Sequence, residues 1–322
     1  MMLLEIKNLH VDFEGLRGKT EALKNMNLSL NNGEILGIVG ESGSGKSITA
    51  LSILGLLEEN AIISKGKIIY NGVNILELSK KDIQALRGKE IGMVFQEPMT
   101  ALQPTMKIGK QLFNVIKQHR RLSTKETKEA VLHALREVHI DQPELVARKY
   151  PFELSGGMRQ RIVIALAMAA PPNLLIADEP TTALDVTIQY EIINLIKELN
   201  DKRGTSVLLI THDLGVVANV CDRILVMYAG EVVESGSTKQ VLNNPIHPYT
   251  KSLLAALPDS VEPHQPLQAI EGEPPNLLKR PKGCAFSERC HYVMDICKEE
   301  HPELKDGESN HQVSCWLEKV IV

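Results

Sequence analysis

Apolar strand-like runs alternating with helix-like segments predict an α/β protein whose parallel sheet is covered by helices on both faces. Three observations carry that prediction. The apolar run 34–39 leads into the glycine-rich GESGSGKS of residues 40–47 and then into a helix-like segment; apolar strands return at 174–178 (LLIAD), 206–210 and 224–227; and residues 107–118 and 124–138 between them have helical periodicity. Ahead of the glycine-rich loop, residues 3–11 and 26–30 read as strands of a β-rich region, and 66–76 (GKIIYNGVNIL) as a β hairpin. A helical insertion is expected over about 100–170. Between Leu257 and Pro281 six prolines (Pro258, Pro263, Pro266, Pro274, Pro275, Pro281) make a stiff, extended connector, and a cysteine-bearing tail follows.

Composition narrows the class. A chain of 322 residues with 43% hydrophobic and 24% charged residues can bury one large core or two modest ones, as an ordinary globular protein does. Its formal net charge of −4 gives no reason to expect a general nucleic-acid surface. The longest unbroken apolar run, Ile162 to Ala170, is about half of the ~18 residues that a membrane span needs. The start, MMLLEIKNLH, lacks the basic region, apolar core and small-residue cleavage site of a signal peptide. The expectation is a cytosolic subunit whose membrane role, if it has one, comes from partners.

The loop Gly40–Ser47 is a phosphate site by its chemistry. Glycines let backbone N–H groups turn inward around a polyphosphate, Lys46 neutralises the β and γ oxygens, and the Ser47 hydroxyl can ligate Mg²⁺. The helix that starts near Lys46 adds its positive end. LLIADE, residues 174–179, is an apolar strand ending in two carboxylates: Asp178 would hold Mg²⁺ through water, and Glu179 would accept a proton from the attacking water. The alternative is a buried strand with solvated acids at its end. His212, after the next apolar strand, could reach a γ-phosphate, although a lone His at a strand end is usually structural. LSGGMRQR, residues 154–161, is a second helix start built for an anion, with the Ser155 hydroxyl and the close-approach backbone of Gly156 and Gly157. The plainer reading is a helix capped by Ser155. Two phosphate-type helix ends in one chain suggest that two subunits share each nucleotide.

Taken together these motifs resemble the ATP-binding subunits of ABC transporters over residues 3 to about 240. GESGSGKS looks like Walker A, LLIADE like Walker B, LSGGM like the signature, Gln96 in VFQEP like the Q-loop, Ala183-Leu184-Asp185 like the D-loop, and His212 like the switch histidine. The resemblance implies an ABC-type nucleotide-binding domain: a RecA-like P-loop core with β-rich and helical subdomains. It implies nucleotide contacts from Gly40, Ser42, Gly43, Ser44, Gly45, Lys46, Ser47, Ile48, Gln96, Asp178, Ser155, Gly156, Gly157 and Asp185, with Mg²⁺ at Ser47, Gln96 and Asp178. It also implies catalytic roles for Glu179, His212 and Gln96. Phe13 matches the aromatic that stacks on adenine, against the plainer reading of a strand core residue. In that family two ATPs lie between head-to-tail subunits, and binding closes the pair.

The C-terminal part, with NNPIHPYTKSLLAALP at 243–258 and GEPPNLLKRPKGCAFSERC at 272–290, resembles the extension of oligopeptide, dipeptide and nickel importer ATPases. VFQEPMTALQP and LSGGMRQRIVIALAM are similar to the D-type subunit of a dipeptide/oligopeptide importer. One departure is Gln103, where that family usually shows Asn. The expected organisation is an ATPase domain over 1–240 and a small Cys-rich C-terminal extension over 241–322. Four of the five cysteines lie there, at Cys284, Cys290, Cys297 and Cys315. In a reducing compartment clustered thiols argue for metal rather than disulfides. Their spacings are longer than those of usual zinc pairs and fit a [4Fe–4S] cluster, with zinc or no metal as alternatives. Resembling proteins with this cysteine pattern carry such a cluster. His291, His301 and His311 are nearby alternatives as ligands, but four thiolates already complete a site, so these histidines are expected to be solvated; Cys221 is expected to be a buried small residue.

The expected function is the ATP-hydrolysing motor of an importer for di- or oligopeptides at the cytoplasmic face of the membrane. Its expected partners are two permeases, an F-type second ATPase or a second copy of itself, and an extracytoplasmic binding protein, with no nucleic acid. The rival readings are a nickel or other small-solute importer ATPase and a soluble regulatory ABC ATPase.

Overall fold

The computed structural model describes residues 1–16, 18–257, 270–307 and 310–319. Pro258, Pro263 and Pro266 of the expected connector lie outside the described residues. The strands are β1 (Met2–Gly15), β2 (Gly18–Asn31), β3 (Ile35–Val39), β4 (Ala61–Tyr70), β5 (Val73–Asn74), β6 (Ile91–Val94), β7 (Leu174–Asp178), β8 (Ser206–Thr211), β9 (Arg223–Tyr228), β10 (Glu231–Ser237), β11 (Lys305–Asp306) and β12 (Gln312–Val313). The helices are α1 (Lys46–Leu54), α2 (Lys80–Leu86), α3 (Pro98–Ala101), α4 (Ile108–His119), α5 (Thr124–Glu137), α6 (Pro143–Val146), α7 (Gly156–Ala167), α8 (Val186–Arg203), α9 (Leu214–Val220), α10 (Thr238–Asn243), α11 (Pro248–Ala255) and α12 (Asp295–Glu299). The chain divides into two compact units.

The first unit holds Met1, residues 31–35 and residues 77–210. Its strands β6, β7 and β8 are parallel, with Val94 opposite Ala177 and Asp178 opposite Ile210. Every residue of β7 and β8 is buried, as expected of strands covered on both faces. The helical insertion supplies α3 to α7. Its α4 buries Ile108, Leu112 and Ile116, spaced four apart on one face, and α5 buries Thr127, Val131, Ala134 and Leu135. A reciprocal cap between Ser123 and Glu126 fixes the start of α5. The apolar run in α7 is buried at Ile162, Val163, Ile164 and Ala165, and α4, α5 and α7 pack on one another.

The second unit holds residues 2–30, 36–76 and 211–322. One sheet in it is a four-stranded layer ordered β2-β1-β4-β5, in which β4 runs antiparallel to both β1 and β5. The expected 66–76 hairpin is the β4–β5 pair, turned by Asn71 and Gly72, both at positive φ. The strands predicted at 3–11 and 26–30 are the first part of the longer β1 and the end of β2. Elsewhere in this unit β3 pairs in parallel with β9, and β10 turns back antiparallel to β9. The tail adds β12 to β10 and β11 to β12, so its last strands extend the same ladder. Packing continues through Tyr228, Tyr249, Phe286 and His247, whose rings lie 4.6 to 5.9 Å apart.

Candidate active site

The phosphate loop begins where the fully buried β3 ends. Gly40 has φ +152°, and a Cβ there would lie 2.2 Å from the Met227 carbonyl oxygen, so only glycine fits. Gly43 and Gly45 also have positive φ, and Gly45 is the N-cap of α1 with no side chain capping the helix. Lys46 is buried, and its Nζ donates to the carbonyls of Gly40 (2.8 Å) and Glu41 (2.9 Å). The loop is therefore folded around its own lysine. Phosphate oxygens would offer that ammonium charge-assisted partners in place of neutral carbonyls. Ser44 is buried and its Oγ has no hydrogen-bond partner among the described residues. A buried hydroxyl in want of a partner, inside a left-handed glycine turn, fits a polyphosphate. Ser42 and Ser47 are exposed, and Ile48 and Phe13 are half-buried, Phe13 opposite Ala61 in the β1–β4 pair.

The carboxylates stand at the end of β7 in the first unit. Asp178 is buried, and Glu179, at φ +45°, donates its N–H to the Ile210 carbonyl (2.8 Å). A left-handed glutamate costs backbone energy, which points to a constrained position. One carboxylate oxygen of Glu179 accepts from Gln96 Nε2 (3.1 Å) and Thr182 Oγ1 (3.0 Å). Parallel pairing of β6 with β7 explains the first contact, because it carries the residues after Val94 to the same sheet end as Glu179. Gln96 and Glu179, both predicted from sequence, are thus brought together. Thr182 was missed; its signal is local, since its N–H closes a turn on the Glu179 carbonyl (3.2 Å). His212 follows β8, is exposed, and belongs to the second unit. Gln96 and Asp178 in the first unit, and Ser47 in the second, each carry a hard oxygen donor of the kind that Mg²⁺ takes.

Ser155 caps α7, accepting the Met158 N–H at 3.4 Å, so the plain capping reading holds. The same Ser155 and Gly156 are also exposed, which leaves this helix start open to solvent. Gly157 is fixed by packing: a Cβ would lie 2.8 Å from Ile188 Cγ2 on α8. Asp185 is the exposed N-cap of α8 and accepts the Ile188 N–H at 3.0 Å.

Cys284, Cys290, Cys297 and Cys315 line one small cavity with His247, Phe286 and Trp316, and all four are free thiols. Burial pushes the Cys284 thiol up to about 12 and raises those of Cys290 and Cys315. His247 accepts the Tyr249 N–H on Nδ1, which puts the ring proton on Nε2, and that atom is buried without a partner among the described residues. Four soft sulfur donors thus share one cavity with a buried imidazole N–H. Among the described residues, however, no group of three or more His, Cys, Asp or Glu side chains is set to hold a metal ion. Two of the three histidines expected to be solvated are not. His311 is buried with Nε2 2.8 Å from Glu234, and His301 is half-buried near Glu231, because the tail folds onto β10; His291 alone is exposed. Cys221 is buried as expected, and burial raises its thiol.

Comparison with known proteins accounts for both parts. Residues 23–182 match the family described as "ABC transporter", and residues 233–297 match "Oligopeptide/dipeptide transporter, C-terminal region". The oligopeptide transport ATP-binding protein OppD of Bacillus subtilis is 48% identical over 317 residues, covering 98% of this chain and 88% of its own. The probable D,D-dipeptide transport ATP-binding protein DdpD of Escherichia coli is 46% identical over 315 residues, covering 98% and 96%. Among solved structures, the dimeric post-hydrolysis state of the ATP-binding cassette MJ0796 bound to ADP and Pi is similar at TM-score 0.66 and 30% identity, covering 73% of this chain and 99% of that one. The fold is that of an ABC ATPase nucleotide-binding domain, and the chain belongs to the oligopeptide/dipeptide family of ABC transporter ATP-binding proteins, enzymes that hydrolyse ATP with Mg²⁺.

Proposed function

We propose that this chain is the motor subunit of a di- or oligopeptide importer, working at the cytoplasmic face of the membrane. Its partners would be two permeases, an extracytoplasmic binding protein and a second, F-type ATPase. The observation that carries the reading is full-length similarity that continues through the C-terminal segment, beyond what an ABC ATPase needs for ATP alone. No described helix is long and apolar enough to cross a membrane, which is compatible with a peripheral subunit. The organisation proposed is an ATPase domain over 1–240, with its helical part at about 100–170, and an extension over 241–322.

In the proposed mechanism the loop residues Gly40, Ser42, Gly43, Ser44 and Gly45, with Lys46, Ser47 and Ile48, hold the phosphates, and Phe13 stacks on the base. Ser47, Asp178 and Gln96 hold Mg²⁺, which would neutralise phosphate charge when bound. Glu179 accepts the proton of the attacking water. Gln96 and Thr182 both donate to one Glu179 oxygen and so orient the carboxylate for that role. His212 contacts the γ-phosphate, and Asp185 shapes the subunit junction. Ser155, Gly156 and Gly157 serve a nucleotide held by the partner ATPase.

For the tail we propose a [4Fe–4S] cluster on Cys284, Cys290, Cys297 and Cys315, supported by the convergence of four thiols on one cavity. A single ion needs its ligands gathered closely, whereas in a cluster each thiolate takes its own iron. When bound it would supply four bonds cross-linking the tail. Iron content and absorbance of the purified chain test this, with Cys290→Ser expected to lose both; zinc without iron would overturn it.

The function is tested by uptake of labelled dipeptide, longer peptide and Ni²⁺ in cells carrying the parent chain or Glu179→Gln. Loss of peptide uptake alone is expected. Loss of nickel uptake alone would move the chain to the metal branch, and no change in any would overturn the importer reading.

A further inference from the structure

Glu41, the second residue of the phosphate loop, has its N–H, carbonyl and carboxylate all engaged, and the partners of the N–H and of the carboxylate come from the C-terminal part of the chain. Its carbonyl accepts from Lys46 (2.9 Å). Its backbone N–H donates to the hydroxyl oxygen of Tyr249 (2.9 Å), a side chain buried on α11. Its carboxylate takes both arms of the Arg289 guanidinium, Nη1 to Oε2 at 2.7 Å and Nη2 to Oε1 at 3.0 Å.

Arg289 is itself held rigidly. Its side chain is 4% exposed. Nε donates to the Glu271 carbonyl, Nη2 also to the Ile270 carbonyl, and Nη1 also reaches the Tyr228 hydroxyl. The guanidinium carbon lies 5.8 Å from the Tyr228 ring centre and 6.0 Å from that of Phe286. Hydrogen bonding to Glu41 holds Arg289 charged even more firmly than an ordinary arginine.

A carboxylate in a loop that must receive a polyphosphate is an electrostatic obstacle unless it is neutralised and turned away. The bidentate fork does both, and it fixes orientation in a way that a point charge cannot. We infer that Arg289, assisted by Tyr249, is a positioning residue for nucleotide binding: it acts through Glu41 to neutralise and shape the phosphate loop. The C-terminal extension thereby becomes part of the ATPase site. The inference rests on the reading of residues 40–47 as the nucleotide loop.

The test is the affinity of the full chain for ADP and for a fluorescent ATP analogue, measured by calorimetry and anisotropy at low and high salt. Arg289→Ala is expected to bind roughly tenfold more weakly, with the loss shrinking as salt rises. Arg289→Lys, which keeps the charge and loses the fork, falls between Arg289→Ala and the parent. Glu41→Gln binds as well as the parent or better, and Glu41→Gln in the Arg289→Ala chain restores most of the affinity. Tyr249→Phe keeps the ring packing, loses the acceptor for the Glu41 N–H, and gives a smaller loss. A purely structural Arg289 would lower the melting temperature without this rescue. Parent-like binding by Arg289→Ala, or a double variant as weak as Arg289→Ala, overturns the inference. Should Arg289→Ala not fold, Arg289→Lys and Glu41→Gln decide: parent-like binding by the first, or tenfold weaker binding by the second, also overturns it. Lys46→Ala separates the two readings, since undiminished binding there would remove the phosphate loop itself rather than its link to Arg289.

Discussion

The phosphate loop and the start of α7 are both helix N-termini in glycine-rich turns, yet they are finished differently. At the phosphate loop three glycines adopt positive φ, the helix start has no side-chain cap, and a buried lysine and a serine hydroxyl with no partner among the described residues crowd the turn. Such a turn already has the parts of an anion cradle. At α7 the glycines have ordinary φ, Ser155 caps the helix, and Ser155 and Gly156 face solvent. That end offers a helix dipole and little else, which is what one wall of a shared site offers before its partner arrives. On the proposed reading, one motif is complete within the chain and the other is half of a site shared with a partner.

The largest effect that would sharpen this comparison is on turnover. Glu179→Gln should lower ATP hydrolysis on the order of 10²-fold or more while nucleotide binding persists, because in the proposed mechanism only the proton acceptor is lost; steady-state phosphate release and ADP titration check the two halves. Next, Lys46→Ala should weaken nucleotide binding by about 10²-fold, since it removes a buried cation from the completed cradle; calorimetry reads it. Gly40→Ala should destabilise the chain by about 3 kcal/mol, given the contact of 2.2 Å that a Cβ would make with Met227 and the φ of +152°; urea unfolding measures it. Smallest is Ser155→Ala, expected to cost about 1 kcal/mol as a lost helix cap and to leave nucleotide binding by the isolated chain intact. A large loss of binding in that variant would break the comparison, for it would make α7 part of the chain's own cradle.

Local motifs were legible and distant ones were not. Residues 40–47 announce their own geometry, because glycine spacing dictates where positive φ is possible. LLIADE likewise marks a buried strand ending in acids, and the structure places Gln96 on Glu179 because β6 runs parallel beside β7. The strands β6 and β10 escaped notice for physical reasons. Ile91–Val94 is only four residues long, and Glu231–Ser237 carries Glu231, Glu234 and Ser235, which are buried against Arg280, His311 and the tail rather than exposed. The same tail packing defeated the expectation of solvated histidines at His301 and His311. Arg289 was invisible for the same cause: its partner Glu41 lies 248 residues away, and no periodicity connects them.

On the proposed reading this chain supplies a complete phosphate cradle and one wall of another. Gly156→Asp tests it most directly, because Asp is well tolerated in the first turn of a helix but places a carboxylate where a partner's phosphate would sit. The measurement is ADP affinity of the isolated variant together with ATP turnover in the assembled importer. Unchanged affinity with lost turnover is the predicted result. Unchanged turnover, or affinity lost in the isolated chain, would contradict the account.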